Sequence, residues 1–204
     1  MSCDSGDEDS LNQFRFEEEE QIIGQEKVHS ITNYYVENFP SSIDRFFTRY
    51  YYINTKNHRI ATEKNLEVYS VLFHSNRVCL IGLADCHPAL NNGIESITFE
   101  IGNCNRSLNK VSGKGKKGGM ILQEDSTLAI IIDKKSNLYR IPSCIRGKLI
   151  EINERLLDLN NINILGKEGD GFIAIVLPKP EHCKKIKEDL LSKQSYEQYK
   201  RVNL

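Results

Sequence analysis

Residues 113–118 read Gly-Lys-Gly-Lys-Lys-Gly, a literal G-x-G-x-x-G. Such glycines let a backbone approach a pyrophosphate, provided a strand precedes them and a helix opens after them. Here Gly119-Met120-Ile121-Leu122 leads into strand-forming residues. The kinase alternative needs H-R-D and D-F-G partners that the chain lacks. What the stretch does offer is charge. Arg106, Lys110, Lys114, Lys116 and Lys117 lie close together with no acid among them. A mobile basic loop of this kind suits an acidic protein, a phosphate or a nucleic acid. No aromatic residue is interleaved, which argues against a base-stacking platform. Lys179, Lys184, Lys185, Lys187 and Lys193 form a second basic stretch.

Asp85-Cys86-His87 suggests a nucleophile and its base. Adjacent strand residues project to opposite faces, so Cys86 and His87 are not expected to meet. His74 could approach Cys79 or His87 across a hairpin. Six scattered cysteines without Cys-x-x-Cys spacing read as free thiols, with no zinc ribbon. No paired carboxylates suit acid–base chemistry. The residues therefore point to a non-enzymatic protein without a cofactor or metal.

The elements that carry these residues are mostly strands. Ile43, Phe46, Phe47, Tyr50 and Tyr51 form an i, i+3, i+4, i+7, i+8 stripe, which predicts a helix over 41–52 with Ser41 or Ser42 as cap and Asp44 in its first turn. From residue 66 the period becomes two, predicting a hairpin through Ser75-Asn76 into 77–84. Strands are expected at 97–101, 127–133, 138–141, 147–152 and 172–177, with a short helix near 153–159. After Pro178 and Pro180, residues 181–192 read as one helix that either packs on the body or stays solvated.

The chain has 204 residues, and its formal charge of -1 hides a partition. Residues 1–26 hold nine acids and one base, a net of -8, so the rest carries +7. The expected organisation is a disordered acidic leader over 1–26, a β domain with an N-terminal helix over 27–180, and a helical tail over 181–204. The leader is either a solubilising tail or a competitor for the basic body's acidic partner. No apolar run is long enough for a membrane span and no secretory signal opens the chain, so an intracellular, membrane-free protein is expected.

The segment from His74 to Pro88, Asn109-Lys110-Val111-Ser112-Gly113-Lys114, Ser143-Cys144-Ile145-Arg146-Gly147-Lys148-Leu149, Glu151-Ile152-Asn153-Glu154 and Gly171-Phe172-Ile173-Ala174-Ile175-Val176-Leu177-Pro178-Lys179 resemble the Abitram (Simiate) family in the same order. The resemblance covers about residues 42–200. It implies an actin-binding protein of nuclear speckles and cytoplasm, including actin-rich projections, with a transcription-related role. It supplies no map of actin contacts. Residues 138–156 and 171–175 further resemble the C-terminal half of the glycine cleavage H protein. That likeness implies a mainly β, lipoyl/biotinyl-like barrel-sandwich hybrid with flanking N- and C-terminal helices. In such domains a hairpin lysine carries the prosthetic arm, and Lys134 and Lys135 are the nearest equivalents here. Three functions follow as expectations: an actin-binding module meeting actin's acidic surface with Arg106, Lys110, Lys114, Lys116 and Lys117; a lipoyl-type carrier; or an adaptor to nuclear ribonucleoprotein or transcription components.

Overall fold

The computed structural model describes residues 21–23, 26–28, 40–54 and 66–203. Two units partition the chain at Ser41/Ser42. In the first, β1 (Gln21–Ile23) pairs antiparallel with β2 (Glu26–Val28). Most of the leader expected over 1–26 lies outside the described residues.

The second unit runs α1 (Ser42–Phe46), β3 (Phe47–Ile53), β4 (Val68–His74), β5 (Cys79–Leu83), α2 (Pro88–Asn92), β6 (Ile94–Thr98), β7 (Glu100–Ile101) and β8 (Cys104–Asn105). It continues with β9 (Ile121–Leu122), β10 (Thr127–Asp133), β11 (Leu138–Pro142), β12 (Gly147–Ile152), β13 (Ala174–Leu177), α3 (Cys183–Asp189), β14 (Leu191–Ser192) and α4 (Lys193–Asn203). Seven strands form an antiparallel sheet in the order β14-β3-β4-β5-β13-β12-β9, and three form a second in the order β11-β10-β6. Alternate side chains of both sheets meet in one core: Tyr69, Val71, Ile81, Leu149 and Val176 from the larger, and Ile97, Ala129, Ile131 and Ile141 from the smaller. Each fully buried aliphatic side chain of this kind contributes about 1.5–3 kcal/mol. The expected mainly β class holds.

Two helices differ from expectation. The helix predicted over 41–52 stops at Phe46, and residues 47–53 form β3 instead. The aromatic stripe fits a helical period, but Phe47-Thr48-Arg49-Tyr50-Tyr51-Tyr52-Ile53 is also a run of strong strand formers. A seven-residue ladder from Phe47↔His74 to Ile53↔Val68 decides in favour of the strand. The helix predicted over 181–192 is broken in two. Leu190 turns extended and buries its side chain, and Leu191 pairs with Tyr51. Ser192 Oγ then accepts the Ser195 amide at 3.2 Å and starts α4. The tail packs on the body: Tyr196 is buried and stacks on Tyr51 with ring centroids 3.7 Å apart. Residues 154–157 form the short helix expected there, of 3-10 type, and a second such turn covers 159–166.

Candidate functional site

The basic stretch is held by its non-basic residues. Asn105 caps the 3-10 turn Arg106–Leu108 by accepting the Ser107 amide at 2.8 Å. Asn109 Nδ2 donates to Leu149 O at 3.1 Å, and its Oδ1 accepts the Met120 amide at 2.8 Å, which fastens the stretch to β12. Between them the chain makes a tight hairpin. The Ser112 and Lys117 amides exchange hydrogen bonds with each other's carbonyls at 2.9 and 3.0 Å. The glycines serve this geometry. A Cβ on Gly119 would lie 2.7 Å from both Leu149 O and Val111 Cγ1, so only glycine admits the close approach to β12. Of the glycines in the G-x-G-x-x-G match itself, Gly113 and Gly118 take positive φ, at 64° and 85°, and a Cβ on Gly118 would lie 2.8 Å from Lys110 O; the stretch leads into strand β9, with no helix after it.

The five predicted residues part company. Arg106 is half-buried, with Nε on Thr127 O at 3.2 Å and Nη1 on Met120 Sδ at 3.4 Å, so its guanidinium serves the fold. Lys110, Lys114, Lys116 and Lys117 are exposed. Of these, Lys116 lines a groove of about 310 Å³ together with Arg77, Arg146, Lys148, Lys179 and His182. The floor is apolar: Ile121, Leu177, Pro178 and Pro180. Among the described residues, no carboxylate lines it.

Sheet order explains the convergence. Register places Val176 opposite Cys79, Leu177 opposite Lys148, and Lys148 opposite Ile121. The β4–β5 turn, the end of β13, the start of β12 and β9 therefore share one end of the sheet. Gly147 lets β12 and β13 close together, since a Cβ there would lie 2.6 Å from Val176 Cγ1. Arg77 Nη1 donates to Pro178 O at 3.4 Å, and Lys148 Nζ donates to Lys116 O at 2.7 Å. Glu181 touches Lys179 at 3.5 Å and His182 at 3.8 Å, and both side chains remain partly exposed. Sequence reasoning missed Arg77, alone in its turn, and the pair Arg146 and Lys148, because neither belongs to a run of cations.

The second basic stretch disperses. Lys179 joins the groove, while Lys185 lines a neighbouring cavity of about 240 Å³ shared with Arg146 and His182. Lys187 lies 4.5 Å above the Phe73 ring, and Lys184 faces Glu188 at 3.9 Å. Lys193 lines a different cavity, beside Arg49, Tyr51 and Asp85.

Asp85, Cys86 and His87 find separate partners. His87 is buried and caps α2, its Nδ1 accepting the Ala89 amide at 3.2 Å. Its ring lies between Tyr69 and Tyr139, with centroids 5.2 and 5.3 Å away. Nε2 has no hydrogen-bond partner among the described residues. Burial pushes the His87 pKa down to about 3. The Tyr196 hydroxyl donates towards Asp85 Oδ1 and Cys86 Sγ, and Lys200 Nζ reaches Asp85 Oδ2 at 2.6 Å. Partial burial pushes the Cys86 thiol up, and Tyr196 only partly offsets it. Neither group resembles an activated nucleophile or its base. His74 packs against Phe46 and Phe47. Among the described residues, no three His, Cys, Asp or Glu side chains cluster to hold a metal. Lys134 and Lys135 are exposed at the β10–β11 turn, where Lys135 Nζ donates to Asn92 Oδ1 at 2.7 Å. The Asp133 carboxylate below them accepts from the Asn137 and Lys135 amides, Asn92 and Tyr139. No helix among the described residues is long and apolar enough to cross a membrane.

No protein-family model matches the chain. Among solved structures it is similar to a glycine cleavage system H protein from Mycobacterium marinum, with a TM-score of 0.45 and 10% identity over 74% of this chain and 95% of that one. Among curated proteins it is 49% identical over 191 residues to Protein Abitram of Drosophila melanogaster, covering 94% of this chain and 85% of that protein. It is 43% identical over 169 residues to Protein Abitram of Homo sapiens, covering 80% of this chain and 90% of the human protein. It is 37% identical over 137 residues to Protein Abitram of Dictyostelium discoideum, covering 67% of this chain and 74% of that one. Identity at this level, sustained over most of both chains, makes this protein a member of the Abitram family.

Proposed function

We propose that the chain is a non-enzymatic actin-binding protein that modulates actin assembly through its basic groove. It would act on monomeric and filamentous actin, in the cytoplasm with its actin-rich projections and in nuclear speckles with a transcription-related role. The observation that supports this reading is the meeting of the two basic stretches. Lys116 and Lys179 are far apart in sequence, yet they line one groove together with Arg77, Arg146 and Lys148. An acidic surface such as actin's is attracted to such a patch, and the attraction weakens as salt screens it.

The test is co-sedimentation of the full-length protein with filaments, alongside titration into monomeric actin, at low and moderate salt. Reversing two exposed groove charges, Lys116→Glu with Arg146→Glu, weakens binding by about ten-fold or more and flattens its salt dependence. Lys114→Glu with Lys117→Glu, outside the groove lining, has the smaller effect. Equal binding by all three proteins at low salt would remove the groove from the reading. Absence of binding by the unmodified protein would remove actin.

A further inference from the structure

We propose that the groove is built for an extended acidic peptide segment that carries one large apolar side chain between its carboxylates. This rests on the reading of the groove as a partner-binding surface, but it names the chemistry of the occupant and requires no particular protein. Three features of the site lead to it.

The first is the pairing of a cationic wall with an apolar floor. Ile121 is 62% exposed although it stands on the edge strand of the larger sheet. Leu177, Pro178 and Pro180 continue the same floor. A bare polyanion would satisfy the cations and leave the floor in water. An acidic segment with one Phe or Leu covers both, because the apolar side chain removes floor area from water while flanking carboxylates meet the walls. A single-stranded nucleic acid fits less well, since no Phe, Tyr or Trp lines the groove and His182 is the one aromatic ring among its described lining residues to stack a base.

The second is the state of the cations. Among the described residues, no ion pair joins Lys116 or Arg146 to a carboxylate, although Glu124 and Asp189 line the neighbouring cavity beside Arg146. Arg77 spends one donor on Pro178 O and Lys148 one on Lys116 O. Guanidinium carries five donors and ammonium three, so both keep N–H groups to offer while the contacts they make hold them in place.

The third is backbone conformation. Only four described non-glycine residues have positive φ, and two of them are groove cations: Arg77 at 76° and Lys116 at 50°. Glycine would adopt this region without the steric cost that a side chain brings. Strain of this kind is retained where the side chain does something the fold alone does not need.

The strain supplies a test in which misfolding cannot masquerade as the result. Arg77→Gly and Lys116→Gly remove a cation and relieve the positive φ, which offsets the entropy a glycine adds to the unfolded chain and, at Arg77, the lost bond to Pro178 O, so their denaturation midpoints stay close to that of the unmodified protein. The probe is a fluorescent peptide of Asp and Glu around one Phe, titrated into the full-length protein and followed by anisotropy. It binds the unmodified protein, and each glycine variant weakens it several-fold. The variant with both Lys116→Glu and Arg146→Glu weakens it by about ten-fold or more. Replacing the peptide's Phe by Ala, or making Ile121→Ser in the protein, weakens it by about ten-fold as well. Insensitivity to both apolar changes would overturn the proposal, as would an RNA oligonucleotide or inorganic polyphosphate binding the groove while the peptide does not. The outcome separates from the actin reading. If Lys116→Glu with Arg146→Glu abolishes actin binding but the peptide does not bind, the groove meets a folded surface and the linear-segment proposal fails alone. If the peptide binds the groove while actin is indifferent to that variant, the actin reading fails alone.

Discussion

Acidification should destabilise this protein through one buried ring. His87 Nδ1 accepts the Ala89 amide, so the neutral imidazole carries its proton on Nε2. Adding a proton would set N–H against N–H at the cap of α2 and place a charge where no water reaches. Burial accordingly lowers the folded pKa from 6.5 to about 3. In the unfolded chain the ordinary value returns. Between these two values the unfolded state holds a proton that the folded state does not, so stability is complete above the unfolded pKa and falls as pH drops below it. At about pH 5 the loss from this residue is about 2 kcal/mol, growing by about 1.4 kcal/mol for each further unit until the folded pKa is reached. For a slope near 2 kcal/mol per molar urea, the unfolding midpoint moves down by about 1 M between pH 7 and pH 5. The control is His87→Asn. Its side-chain oxygen can still accept the Ala89 amide, as a good N-cap does, but it does not titrate. That variant loses ring packing against Tyr69 and Tyr139 and starts about 1–3 kcal/mol less stable. Its further loss between pH 7 and pH 5 should be smaller than that of the unmodified protein by about 2 kcal/mol. Every other group is common to the two proteins, so their difference isolates position 87. Equal acid sensitivity in the two would refute the assignment of a neutral, unprotonatable His87.

Two further expectations bear on how the groove end and the tail are held. Tyr196→Phe keeps the stack on Tyr51 and removes the hydroxyl that meets Asp85 and Cys86; urea unfolding should show about 1–3 kcal/mol lost, and a change within about 0.5 kcal/mol would make that hydroxyl contact incidental. Gly119→Ala forces a methyl to 2.7 Å from the Leu149 carbonyl oxygen, which is backbone and cannot swing aside; thermal and urea denaturation should report about 1–3 kcal/mol or more of overpacking, and a silent substitution would mean the basic hairpin is not seated on β12 as described.

The strands were legible where burial is one-sided or complete. The alternation over 68–74 matched β4, because period two is imposed directly by the pleat, and the apolar run 128–132 within 127–133 matched β10, a strand covered on both faces. The stretch 47–53 was not legible. Tyr50, Tyr51 and Phe47 satisfy a helical stripe as well as a strand, and what separates the two is the ladder with β4, a long-range fact absent from a local window. The tail misled for a related reason. Cys183, Ile186 and Leu190 keep helical spacing up to the break, and only the pairing of Leu191 with Tyr51 ends the helix there. At the candidate site, charge counting picked out Lys116 and Lys179 and also Arg106, which spends two guanidinium donors on Thr127 O and Met120 Sδ. Composition counts cations and says nothing of which are already bonded.

The groove has a property that no segment of the chain possesses alone. Its cations come from the β4–β5 turn, the loop before β9, the start of β12 and the residues after β13, and these become neighbours only because β13 inserts between β5 and β12. A site assembled this way has no precursor in a partly folded chain, since losing the β12–β13 pairing separates Arg146 and Lys148 from Lys179. Occupation by an acidic segment would therefore bind the native state and not the unfolded one, and by linkage would stabilise the sheet that creates it.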